Sequence, residues 1–472
     1  MQRWNGRSNE GHRRTRQPIE GSRSLQAIRP RKEERARRWG VLNAPPLTKF
    51  APHGQIRVWA PRDSLWPRCN LASGSGLQED KVPGPNGFNA EFYKATWHII
   101  RDDAVRFVNY FPSHGFVSKH VSATNIVLIP KKEGATSLKA YRPISLTTSY
   151  YKIIAKLLAE RLKKVVDSLI SNEQTAFIPK RQILDAAMTV HEVVDSLQRS
   201  GTPAVLLKLD LEKAFDRMNW SMLLRIMELM EFPAKWRKWM ATCILSACFS
   251  INLNGGTFGF IKGTRGLRQG DPLSPLFFNI VAEGLLALIR WACDERVLEN
   301  IMPTGGLPIS QFADDTVLFI KADETQIQTI KCLIYAFEIC SGQRINWGKS
   351  SIFGINQNSE GMSRWASILG CTVGQFSSSY LGLPLFCTRI TKGLWDNVAE
   401  KMQRRLSTWK RRQLSKAGRL VLIKTCMAEI PTYHLSFLHC PASVALNLEK
   451  LMRKFLWSGN KEVSKMSMVT WE

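Results

Sequence analysis

The stretch from Val205 to Leu211 constrains the fold most. Val205, Leu207, Leu209 and Leu211 alternate with Leu206, Lys208 and Asp210, and a period of two sends the sets to opposite faces of a strand. The second set ends on a carboxylate. Farther along, Ile309 to Phe312 and Thr316 to Ile320 predict a hairpin with Asp314 and Asp315 near its tip. Taken singly these are weak signals, since an Asp at a strand end is usually a cap and Asp-Asp at a tip is usually turn chemistry. Together they place three carboxylates on rigid backbone. Mg²⁺ prefers such hard oxygen ligands, and two such ions can stabilise the attacking and leaving oxygens of a phosphoryl transfer.

Charge points the same way. The chain has 472 residues with 66 Lys and Arg against 39 Asp and Glu, a net +27 and a pI near 9.9. Such a surplus suits a polyanion, because each neutralised phosphate releases counterions; a merely basic surface or an anionic membrane are the other readings. A hydrophobic content of 44% supports ordinary cores in two or three domains. The ten cysteines form no CxxC pair, so neither a disulfide framework nor a zinc knuckle is expected. Cys426, His434, His439 and Cys440 miss zinc-ligand spacing. The most apolar run, Leu276 to Cys293, is broken by Asn279, Glu283 and Arg290, so no membrane span is expected. The N-terminus has no apolar signal core, and its arginine-rich likeness to a transit peptide is weakened by Glu10 and Glu20. An intracellular protein is expected.

The chain divides by composition. Residues 1–80 read as a basic, mostly disordered arm, arginine-rich up to Arg38 and closing in Ala72-Ser73-Gly74-Ser75-Gly76. Globular patterning starts near Lys81 with the turn cluster Pro83 to Gly87, then helical spacing through Phe88, Phe92 and Trp97. Ile126 to Ile129 predicts a short strand, and Ile153 to Leu169 an amphipathic helix. The other face of that helix, Lys152, Lys156, Arg161, Lys163 and Lys164, either tracks a nucleic-acid backbone or is simply solvated. A helix is expected from Ser221 to Met230. After the glycine-rich stretch Gly255 to Gly270, Asp271-Pro272 reads as a helix cap and first residue. Past Cys387 come helices over Leu394 to Leu406, Gly418 to Met427 and Leu446 to Trp457, with basic faces.

Lys208-Leu209-Asp210-Leu211-Glu212-Lys213-Ala214-Phe215-Asp216 resembles the first palm motif of reverse transcriptases, in particular those of LINE-type (non-LTR) retrotransposons. Arg265-Gly266-Leu267-Arg268-Gln269-Gly270-Asp271-Pro272-Leu273-Ser274-Pro275 resembles the second, and Phe312-Ala313-Asp314-Asp315 the third. Ile129 to Lys132 and Tyr141 to Leu146 resemble the fingers, Ser341 to Ser350 the fourth palm motif, and Tyr380 to Leu385 the primer grip. These run in family order from about Lys81 to Phe386. The helical remainder resembles, less sharply, the region downstream of the polymerase in plant elements of this kind.

The resemblance implies an α+β right-hand polymerase: fingers and palm over 81–386, the palm built on a small antiparallel sheet, and a helical thumb over 387–472. It implies an RNA-directed DNA polymerase using an RNA template, a DNA primer, deoxynucleoside triphosphates and two Mg²⁺ ions, for which Mn²⁺ can substitute. Asp210, Asp314, Asp315 and the carbonyl of Leu211 would hold metal; Lys349 would protonate the departing pyrophosphate. Lys131, Arg142, Phe215, Gln269 and Gly270 would hold the nucleotide, with the Phe215 ring excluding a 2′-hydroxyl. Tyr380, Leu381, Gly382, Lys410, Arg411, Arg412, Lys416 and Arg419 would touch the template–primer. No endonuclease-like segment stands in the first eighty residues and no cysteine-rich or ribonuclease H segment comes after the helices, which suggests a fragment whose nicking partner acts in trans. Nuclear residence is the corresponding expectation. The competing readings are a domesticated reverse transcriptase, intron maturase or telomerase relative, and an inactive nucleic-acid-binding remnant.

Overall fold

The computed structural model describes residues 82–303, 305–375, 378–385, 393–408 and 414–458; the expected basic arm lies outside them. In chain order the strands are β1 (Ala123–Pro130), β2 (Tyr141–Thr147), β3 (Ala204–Leu209), β4 (Cys248–Leu253), β5 (Gly256–Lys262), β6 (Ile309–Phe312), β7 (Asp315–Lys321), β8 (Ser351–Ile355), β9 (Thr372–Val373), β10 (Ser379–Tyr380) and β11 (Leu383–Pro384). One sheet runs β2-β1-β4-β5, with β1 parallel to β4 and the other pairs antiparallel. The other runs β6-β7-β3-β8-β9, with β3 central and antiparallel to both neighbours. The strands β10 and β11 form a separate small hairpin.

The alternation read in β3 holds, with one change. Val205, Leu207 and Leu209 join the main core, as expected of one face. On the other face Ala204 and Leu206 are buried just as completely, against Phe319, Phe353 and the Val190, Val193, Val194 and Leu197 stripe of helix Ile183–Arg199. Each fully buried Leu or Val contributes roughly 1.5–3 kcal/mol, so the strand is clamped from both sides. The strand ends at Leu209, which leaves Asp210 just beyond the clamp.

Helix Ser274–Asp294 passes through the main core, with Ile280, Leu286 and Ile289 fully buried. By length and composition it could cross a membrane, which corrects the expectation that no stretch could; 72% of its most apolar window is buried inside the chain. It starts three residues later than Asp271. That aspartate instead fastens the preceding turn, accepting from the Leu273 amide (2.9 Å) and the Tyr151 hydroxyl (2.7 Å).

The glycine-rich stretch conceals the β4–β5 hairpin. Its two-residue turn, Asn254-Gly255, has φ of 50° and 80°, the left-handed pair that matches strand twist and that Asn-Gly favours. Helices Gly393–Thr408, Lys416–Leu422, Glu429–Leu435 and Ala442–Ser458 enclose a second core of Trp395, Val398, Met402, Ile423, Met427 and Phe455. The expected helix over Gly418 to Met427 changes to a π-helical turn at Ile423–Met427.

Candidate active site

The carboxylates meet through strand register. The β3–β7 ladder ends at Leu209↔Thr316, so Asp210 and Asp315 stand at the next step on adjacent strands. Phe312↔Asp315 closes the β6–β7 hairpin, leaving Asp314 in its turn beside Ala313. Ala313 has φ 55°, a left-handed conformation that costs a side-chain-bearing residue about 1–2 kcal/mol. Its amide is tied down by the Gln174 side chain at 3.1 Å. Asp314 and Asp315 are exposed and Asp210 is half-buried. Desolvation, followed by the charges of Asp314 and Asp210, raises the Asp315 carboxyl above its ordinary value, while Lys208 opposes the rise.

The loop around Lys349 is laced to the same strand end. The Asn346 amide donates to the Asp210 carbonyl (2.8 Å), the Asp210 amide to Ser350 Oγ (3.1 Å) and the Glu212 amide to the Arg344 carbonyl (2.8 Å). Leu211 bridges to Ile345. Lys349 itself is exposed, three residues past Asn346.

Beyond Asp210 the chain turns through Lys213 (φ 51°) into the short helix Ala214–Arg217. Phe215 is half-buried and stacks on Phe278 with centroids 5.6 Å apart. The 265–270 segment binds this turn closely: the Leu267 amide donates to the Phe215 carbonyl (2.7 Å) and the Gly266 amide to that of Met218 (2.8 Å). A Cβ on Gly266 would lie 2.6 Å from the Asp216 carbonyl oxygen, at φ 89°. Only glycine fits there.

Gln269 is held from two sides. Its side-chain amide donates to Asp216 Oδ1 (3.3 Å), and its carbonyl accepts from the Ser145 amide on β2 (2.8 Å). Gly270 follows at φ 104°, close to the Ser145 carbonyl. Burial raises the Asp216 carboxyl, and Lys213, Gln269 and Lys131 partly offset that rise. Sequence reasoning gave Asp216 no role, although it closes the first palm motif. Lys131 and Arg142 share one end of the β1–β2 hairpin, where Ile129 faces Arg142 and the Lys131 amide meets the Ala140 carbonyl at 2.8 Å. Both side chains are exposed.

The remaining expected contact residues differ in depth. Tyr380 is 1% exposed, so its ring backs the sheet near Ser310 and Asp315 and is not offered to a nucleic acid; burial pushes its hydroxyl well up. Leu381 (φ 50°) and exposed Gly382 (φ 84°) form the turn, anchored by the Tyr433 hydroxyl donating to the Leu381 carbonyl at 2.7 Å. Arg419 is half-buried and donates to the Leu414 (3.3 Å) and Leu456 (3.1 Å) carbonyls, which braces the C-terminal helices. Lys416 is exposed, 5.3 Å above the Trp457 ring. Lys410, Arg411 and Arg412 lie outside the described residues.

Among the described residues, no three His, Cys, Asp or Glu side chains are gathered closely enough to hold a metal. Asp210, Asp314 and Asp315 stand on adjoining strand ends without forming such a group. The donor set nevertheless fits a hard divalent cation, because it is all carboxylate and stands on adjacent strand ends.

Carboxylates at the end of a clamped antiparallel sheet, with Gln269 and Lys131 gathered at nearby Asp216, are the arrangement of a palm-type polymerase fold. The chain belongs to the reverse transcriptase (RNA-dependent DNA polymerase) family, whose model matches residues 129–385. That match takes in most of both sheets and stops before the C-terminal helices. A 149 kDa protein of transposon TX1 from Xenopus laevis is 27% identical over 400 residues, 82% of this chain and 30% of that protein. The Pol polyprotein of the retrotransposable element R2DM from Drosophila melanogaster is 25% identical over 70% of this chain and 29% of its own length. The chain thus spans about a third of these relatives or less. Among solved structures, telomerase from Candida tropicalis in complex with a telomeric RNA fragment gives a TM-score of 0.43 at 12% identity, covering 79% of this chain and 58% of that one.

Proposed function

We propose that the chain is an RNA-directed DNA polymerase that extends a DNA primer on an RNA template. The observation that carries this reading is the register that sets Asp210 beside Asp315, with Asp314 in the adjoining turn, at the end of a strand clamped on both faces. The primer 3′-hydroxyl attacks the α-phosphorus in line, the bond to the β-phosphate oxygen breaks, and pyrophosphate leaves. Two Mg²⁺ ions, replaceable by Mn²⁺, would be held by Asp210, Asp314, Asp315 and the Leu211 carbonyl and would offset charge on the attacking and leaving oxygens.

The remaining groups position and select. Lys131 and Arg142 hold the triphosphate at the fingers end, Arg142 through its planar fork. Phe215, kept in place by Phe278 and the Leu267 amide, closes the space a 2′-hydroxyl needs. Gln269 and Gly270 border the nucleotide and template. Lys349 gives a proton to pyrophosphate. The exposed Gly382 turn and Lys416 meet the primer–template backbone. A nuclear enzyme working beside an endonuclease supplied elsewhere fits this chemistry.

The test is primer extension by the full chain on an RNA template with a DNA primer and Mg²⁺, beside the Asp314→Asn variant. Extension by the parent, with a loss of at least about 1,000-fold in the variant and template–primer affinity unchanged, is the expected result. Binding without extension by the parent would establish the inactive remnant instead.

A further inference from the structure

The three polar side chains that interrupt the apolar run of helix Ser274–Asp294 all hold one segment. Asn279 donates to the Ala176 carbonyl at 2.7 Å. Glu283 accepts from the Ser171 amide at 3.0 Å and from the Ser171 hydroxyl. Arg290 donates to Ser171 Oγ at 2.6 Å. Arg181 ties the segment's own backbone, donating to the carbonyls of Ser171 and Gln174 at 2.6 Å and of Ile170 at 2.9 Å. The segment lies along β6: the Gln311 amide donates to the Glu173 carbonyl (2.7 Å) and the Thr175 amide to the Gln311 carbonyl (3.0 Å).

From the middle of this strap Gln174, 0% exposed, reaches the tip of the aspartate hairpin. Its Oε1 accepts from the amides of Ala176 and Ala313, each at 3.1 Å. Two N–H groups aimed at one atom identify that atom as the oxygen and fix which way the side-chain amide points. Ala313 is 9% exposed and left-handed at φ 55°, so its amide has little water to fall back on and its backbone conformation has to be held from outside.

We propose that Gln174 is a positioning residue of the catalytic hairpin. Its carbonyl holds the Ala313 turn in the left-handed form and thereby sets the direction of Asp314 and Asp315. The grip of Asn279, Glu283, Arg290 and Arg181 serves to keep that carbonyl in place. This inference rests on reading Asp314 and Asp315 as metal ligands. It assigns a function to a segment that lies inside the family match but in none of the motifs quoted from the sequence.

The test compares Gln174→Met, which keeps length but loses the acceptor, with Gln174→Glu, which keeps an oxygen there, both in the full chain. Three quantities are read: kcat and KM for a deoxynucleotide, the template–primer Kd, and the Kd for Mn²⁺ from electron paramagnetic resonance of the free ion without nucleic acid. Displacing a reacting group by about 1 Å can lower a rate about 100-fold, so Gln174→Met should lose about 30- to 100-fold in kcat. Its Mn²⁺ Kd should rise about tenfold, while KM and the template–primer Kd stay within about twofold. Gln174→Glu should recover most of both losses. A Met variant with parental kcat and Mn²⁺ affinity overturns the proposal, as does one whose template–primer binding falls in step with its Mn²⁺ binding. Should the Met variant not fold, Gln174→Ala, which also removes the acceptor, is read in its place: parental kcat and Mn²⁺ affinity overturn the role, and an about tenfold weaker Mn²⁺ affinity with template–primer binding kept upholds it. A parent that extends no primer counts against the polymerase reading alone, because the Mn²⁺ comparison still reports on Gln174.

Discussion

Glu283 should make the stability of this protein depend on pH. It is 2% exposed in the core helix, and burial raises its carboxyl from an ordinary 4.5 to about 7, against the lowering effect of Ser171 and Arg290. Between those two values the folded chain keeps a proton that the unfolded chain releases, so the folded state binds more protons and stability falls as pH rises. The contribution is fully present below 4.5 and is lost by the time the pH has passed about 7. At about 1.4 kcal/mol per pH unit, the whole swing is roughly 3 kcal/mol, a sizeable part of a typical folding free energy of about 5–15 kcal/mol. Glu283→Gln keeps the shape and an oxygen for the Ser171 amide but has no proton to lose. Urea unfolding of parent and variant, in parallel at about pH 4.5, 6 and 8, should show the variant gaining on the parent by roughly 3 kcal/mol across the series. Parallel pH profiles for the two proteins would refute the argument, because they would mean that Glu283 is ionised throughout and fully compensated.

Two more outcomes concern the site itself. Phe215→Ala should admit ribonucleotides and, by losing part of a half-buried stack on Phe278, destabilise the chain by about 1–2 kcal/mol; unchanged discrimination in steady-state incorporation would sink the gate. Gly266→Ala combines a left-handed φ with a Cβ 2.6 Å from the Asp216 carbonyl oxygen. It should cost roughly 3 kcal/mol and, by shifting Phe215 and Gln269, lower kcat about 100-fold; a thermal melt and single-nucleotide kinetics separate the two effects, and parental kcat would show that the close approach is structural only.

What the sequence made legible was local. The alternation of Val205 to Leu211 predicted both the strand and the carboxylate at its end, because period two is a property of the backbone. Asp314 and Asp315 were placed near a hairpin tip for the same reason. The Asn254-Gly255 turn was equally local and was passed over, masked by the surrounding glycines. Tyr380 misled because a motif says nothing of depth, and its ring is buried; Arg419 was read from a basic helix face, and its guanidinium donates to the carbonyls of Leu414 and Leu456. Gln174 could not have been read at all. Its partner Ala313 is far along the chain, and a glutamine between Glu173 and Thr175 has no periodic or turn signature.

Asn279, Glu283 and Arg290 looked like faults in an apolar helix when only the sequence was considered. In the fold they are the attachment points of the strap, and the role proposed for Gln174 gives them a reason. Burial first, and then the charges of Asp314 and Asp210, raise the Asp315 carboxyl, so on that proposal the backbone beneath the three carboxylates has to be held by more than packing. Apolar packing alone clamps β3 but cannot reach the hairpin tip, where Ala313 and Asp314 lie beyond the last paired residues of β6 and β7. Directional hydrogen bonds can, provided their donors and acceptors are themselves fixed. Burying an amide and a carboxyl inside the main core helix is unfavourable for folding taken alone. On the proposed reading it becomes intelligible as the cost of holding the Asp314 and Asp315 turn in place, and it falls where the sequence is most apolar.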